Sequence, residues 1–105
     1  MTPVRRGGVA EIAVSRIAEG DPLRFDVTVR EGGGQTRHGV TLSAADRARL
    51  CAGHAPERAI EAAFRFLLDR EPKEAILAHF DVSAISRYFP EFEAELASYI
   101  GDTIS

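Results

Sequence analysis

The stretch from Ala62 to Glu93 reads A-A-F-R-F-L-L-D-R-E-P-K-E-A-I-L-A-H-F-D-V-S-A-I-S-R-Y-F-P-E-F-E. It holds five of the six Phe and one of the two Tyr, with Pro72 and Pro90 placed as punctuation. Its opening belongs to a helix predicted over Pro56 to Arg70. With the helical period of about 100° per residue, Ile60, Phe64, Leu67 and Leu68 fall on one side. Ala59, Ala63 and Phe66 widen that side to an apolar arc of about 200°, where a helix lying on a single surface needs little more than about 100°. Glu61, Arg65 and Asp69 fill the remaining face at i, i+4 spacing as mutually favourable pairs. This helix is therefore expected to pack against two layers at once, a sheet on one flank and later helices on the other.

Downstream, Pro72 biases Glu71 away from the α region and restarts the chain. A helix is expected over Lys73 to Phe80, burying Ile76, Leu77 and Phe80. Asp81 or Ser83 then caps a short helix presenting Val82, Ile85, Tyr88 and Phe89. Pro90 breaks it, and a last helix over Glu91 to Ile100 presents Phe92, Leu96, Tyr99 and Ile100. Gly101 is expected to end the ordered part, with residues 101–105 fraying.

Upstream the period changes from helical to alternating. Residues 1–8 read as a loose basic lead-in. Val9 to Ile17 reads as a strand with Ala10, Ile12 and Val14 on one face. Leu23 to Arg30 alternates Leu23, Phe25, Val27 and Val29 with Arg24, Asp26, Thr28 and Arg30, the pattern of a sheet with one wet face. Gly32-Gly33-Gly34 makes a hairpin loop, and Gln35 to Leu42 returns with His38, Val40 and Leu42 in phase. Ser43-x-x-Asp46 has the form of a capping box before a short helix to Cys51, with Gly53 as its stop. Pro56 suits the first turn of the long helix, although Ala55 before it lacks a capping oxygen. The whole predicts one α+β domain over residues 9–100: an N-terminal three-stranded antiparallel β-meander packed against four or five short C-terminal helices.

A length of 105 residues suits one modest core, and the 45% apolar and 28% charged shares are those of a globular chain. Net charge is −3, unevenly spread. Residues 1–70 carry 11 Lys/Arg against 9 Asp/Glu, and residues 71–105 carry 2 against 7. An acidic C-terminal third disfavours nucleic acid there and suits a basic partner. The single cysteine, Cys51, forms no internal disulfide, and no apolar run reaches the roughly 20 residues of a membrane span. The expected setting is a reducing cytoplasm.

The phrases F-R-F-L-L-D-R-E-P-K-E-A-I-L (Phe64 to Leu77), F-D-V (Phe80 to Val82) and I-S-R-Y-F-P-E-F (Ile85 to Phe92) resemble a family of short, uncharacterised bacterial proteins. The resemblance covers Val40 to Ile100 well and the strands loosely. It implies a small β-meander followed by helices in a bacterial cytosolic protein, and it carries no activity, cofactor or substrate. Ala55 departs from the cap residue, such as Thr, expected before Pro56-Glu57.

Several patterns invite a chemical reading. Glu74 to Pro90 echoes a helix-turn-helix, in which Ser83 to Arg87 would read DNA with Arg24, Arg30 and Arg37 from the wet face of the sheet. Pro90 cuts that recognition helix short, and Glu91, Glu93 and Glu95 would face phosphates, so packing is the better reading. Those three acids form either a docking face for a basic partner or a solvated face whose first turn favours the helix dipole. Phe66 and Tyr88 lie furthest from their helices' main stripes, where they either anchor a partner or fill the core between helices. Cys51-x-x-His54 with His38 and His79 is too sparse for zinc and has no third group for a catalytic pair. Gly32-Gly33-Gly34 precedes a strand and lacks a following Lys, so it does not cradle phosphate.

The expectation is thus a non-enzymatic cytoplasmic interaction or regulatory module with no cofactor and no metal. Its partner-binding residues are Phe66, Tyr88, Glu91, Glu93 and Glu95, and its partner is another protein or a second copy. A DNA-binding regulator built on residues 74–90 is the alternative.

Overall fold

A computed structural model describes residues 10–104, and of residues 102–104 the backbone alone. The expected lead-in over residues 1–8 lies outside the described residues, as does Val9. Strands β1 (Glu11–Ala18), β2 (Leu23–Glu31) and β3 (Gly34–Leu42) form the expected antiparallel meander. Gly32 and Gly33 turn between β2 and β3 with φ of 64° and 82°, the pair of positive φ values that a tight hairpin matched to strand twist demands. Gly34 belongs to β3 itself, so the turn is tighter than a three-glycine loop.

Helices α1 (Ala44–Leu50) and α2 (Pro56–Leu68) follow. The Ser43 hydroxyl accepts from the Asp46 backbone N–H at 3.1 Å, as the capping pattern requires. Gly53, with φ of 85°, lies in the turn beyond α1. Ala55 gives α2 no side-chain cap. Glu57, in its first turn, is instead clamped by Arg16 of β1 through two hydrogen bonds of 2.7 and 2.9 Å. That charge-assisted fork ties the helix start to the sheet, although no side chain caps its first backbone N–H groups.

α2 has the two buried flanks that its wide apolar arc implies. Phe64 lies 5.3 Å from His38 of β3, ring centroid to ring centroid. Two residues on, Phe66 meets Phe89, Phe92 and Tyr99 edge-on at 5.8, 5.0 and 5.7 Å. The core runs from Phe25, Val27, Val29, Val40 and Leu42 through Ile60, Phe64 and Leu68 to Phe92, Leu96 and Ile100.

Beyond α2 the chain departs from expectation. Lys73 to Phe80 is not a helix. A single 3-10 turn covers Lys73–Ala75, Ile76 is extended, and His79–Asp81 forms a fourth strand, β4. β4 pairs in parallel with β3 through Gly39↔His79, Val40↔Phe80 and Thr41↔Asp81, giving the sheet order β1-β2-β3-β4. The open edge of β3 supplies hydrogen bonds that local helix propensity cannot match over so few residues. In the extended chain Ile76 is buried while Leu77 points outward, not into the core. Asp81 accepts from the Ser83 N–H at 3.0 Å at the start of α3 (Ser83–Tyr88). α4 (Phe92–Ile104) then runs past Gly101, where the helix was expected to end, because that glycine does not take a positive φ. The result is an α+β fold, a meander with a fourth strand packed against four C-terminal helices.

Phe66 is fully buried at the centre of the helical layer. Phe66→Ala is expected to cost about 3–5 kcal/mol in urea unfolding. The Arg16 fork holds the Glu57 carboxyl below its ordinary pKa. Its stabilising effect is therefore present above the usual carboxylate range and is lost as pH falls through that range. Thermal unfolding followed from neutral to acid pH should show the wild type losing stability more steeply than Glu57→Gln.

Candidate functional site: an apolar groove

The five residues singled out from sequence do not form one surface. Phe66 is 0% exposed and out of any partner's reach. The Arg70 guanidinium lies 3.6 Å from its ring centroid and closes that side of the aromatic cluster. The acids are spoken for within the chain. Glu91 and Glu95 bond to Arg70 at 3.1 and 3.0 Å. Glu93 bonds to Arg49 at 3.1 Å. With each carboxylate already facing an arginine, the acidic row has little charge left to offer a basic partner.

Tyr88 is different. It is 69% exposed and lines a depression of about 380 Å³. Buried Leu67, Ile76 and Ile85, half-buried Phe80 and Phe89, and exposed Leu77 line it as well. The volume lies at the lower end of ligand-binding clefts. Each element contributes for a local reason. α2 ends at Leu68, Pro72 turns the chain out, β4 is held at the edge of the sheet, and α3 is only six residues long. The gap between them is open because none of these segments is long enough to cover it, and apolar because core side chains such as Leu67, Ile76 and Ile85 line it.

One charged group lines the groove among the described residues, Glu71. Its backbone N–H caps α2 by donating to the Leu67 carbonyl at 2.9 Å. Its carboxyl has no hydrogen-bond or ion-pair partner among the described residues, and partial burial pushes its pKa up. The chain's neighbouring cations are engaged elsewhere, Arg70 on Phe66 and the acids of α4, and Lys73 on Glu74 at 2.9 Å. Sequence reasoning missed Glu71 and Leu77. The signal was Pro72, which forces an extended chain around itself and makes helical phase unreliable for its neighbours.

Residues 74–90 contain a 3-10 turn, a strand and a six-residue helix, so no helix-turn-helix is built there. Its last half lacks a preceding helix because that segment joined the sheet. On the wet face, Arg37 pairs with Asp26 at 2.6 Å and Arg30 faces Glu11 at 3.9 Å, which reduces the positive charge presented there. His38 is buried between the Leu77 carbonyl and the Thr36 hydroxyl, each at 2.8 Å, as a structural histidine. Cys51 is buried, and its desolvation raises the thiol pKa, which disfavours a reactive thiolate. Among the described residues no three of His, Cys, Asp and Glu gather as a metal set, and no helix is long and apolar enough to cross a membrane.

Because burial raises the Glu71 pKa, ionisation is penalised in the folded state. The group's contribution to stability is greatest below the ordinary carboxylate range and falls as pH rises through it. Glu71→Gln should therefore unfold at a higher temperature than wild type at pH 7 and at the same temperature near about pH 3.5, by calorimetry at the two pH values. Compared with family models, with curated proteins and with solved structures, the chain finds no match.

Proposed function

We propose that this chain is a small non-enzymatic cytoplasmic interaction module that grips a segment of a partner protein in the groove between α2, β4 and α3. The observation that carries this reading is the exposure of Leu77 and Tyr88, at 51% and 69%, on the same apolar depression. Large exposed apolar side chains rimming a concave apolar surface mark contact sites, and aromatic anchors dominate the energetics of such contacts. A partner segment seated there removes apolar area from water at about 25 cal/mol per Å². It does so without unfolding anything, because the buried residues beneath the rim already belong to the core.

A photo-crosslinking amino acid placed at position 88 in cells tests this, with one at exposed Ser98 as control. Position 88 should give a discrete adduct that disappears when Leu77→Asp is added. Equal labelling from position 98, or an adduct indifferent to Leu77→Asp, overturns the reading.

A further inference from the structure

We propose that the segment received by the groove presents one cationic side chain, Lys or Arg, between apolar residues, and that its charged head pairs with Glu71. The inference rests on the groove being the contact surface and goes beyond it by fixing the chemistry of the occupant. Glu71 is the sole charged residue lining the groove among the described residues. Its carboxyl has no partner among the described residues, although cations stand one position before it and two after it in the chain. Arg70 is committed to the Phe66 ring, Glu91, Glu95 and Tyr99, and Lys73 is buried against Glu74. The fold thus satisfies both neighbours and leaves this one carboxylate facing an apolar depression.

A long cationic side chain fits such a place better than any other. Its methylene stem lies along apolar walls of the kind Phe80 and Tyr88 provide, while its head reaches a carboxylate. The head also gains from nearby aromatic faces. Burial under the partner strengthens the ion pair relative to one in open solvent. A second copy of the chain is the competing occupant, since its exposed Arg87 is a cation that it could bring.

Panning a phage-displayed library of random dodecapeptides on the 105-residue chain tests the proposal directly. Selected peptides should carry a Lys or Arg at one position with apolar residues around it. A synthetic copy should bind Glu71→Gln at least about tenfold more weakly than wild type. Glu71→Lys should reject that peptide and accept its counterpart in which the basic residue is replaced by Glu. Peptides that need Leu77 and Tyr88 but bind Glu71→Gln as tightly as wild type overturn the cation and leave the groove standing. Peptides indifferent to Leu77→Asp, or a library that yields none, overturn both. A dimer in sedimentation equilibrium that Leu77→Asp dissociates identifies a second copy as the occupant and overturns the proposal in its favour.

Discussion

The fold depends on a helix that must be covered from two directions. α2 carries Phe64 on the flank that meets the sheet and Phe66 on the flank that does not, and both rings are fully buried. No single layer can do this, so the chain after α2 has to return and build a second one. Phe89, Phe92 and Tyr99 supply it by closing edge-on around Phe66. Arg70 then seals the cluster with its guanidinium 3.6 Å from the centre of the same ring while its donors hold Glu91 and Glu95. Packing, aromatic geometry and charge are coupled at this one point, which orients α4 against α2.

The groove is a consequence of how the chain travels from one layer to the other. Between Leu68 and Phe92 it must leave the helical layer, reach the sheet edge and come back. It does so through short pieces: a 3-10 turn, three strand residues and six helical ones. Short pieces bury their inward side chains, such as Ile76, Val82 and Ile85, and cannot shield the space between themselves. Leu77, Tyr88 and Glu71 border that space. A partly desolvated carboxylate with no partner among the described residues works against stability, and it borders the same space as the exposed Leu77 and Tyr88.

Much of this was legible from residue order. The alternation of Leu23, Phe25, Val27 and Val29 placed β2 and its buried face. The width of the apolar arc over Ile60, Phe64, Phe66 and Leu68 placed α2 between two layers. The hydroxyl of Ser43 and the phase of Phe92, Leu96 and Ile100 placed α1 and α4. Each signal is local, because period and capping arise from neighbouring residues interacting through the backbone geometry of one element.

What the sequence could not settle was everything decided by a distant edge or a distant charge. His79 to Asp81 is a strand only because β3, about 40 residues earlier, leaves an unpaired edge for it. Leu77 faces outward as a consequence. The candidate acids on α4 were visible as a row, but their partners Arg49 and Arg70 lie on other elements and come close only in the folded chain. Phe66 and Tyr88 looked alike as off-stripe aromatics, and packing separated them, one into the core and one onto the surface. The sequence by itself determined the elements whose pattern is repeated within them. The tertiary structure alone decided which edge was completed, which charges were matched and which apolar side chains were left uncovered, since those depend on contacts between residues far apart in the chain.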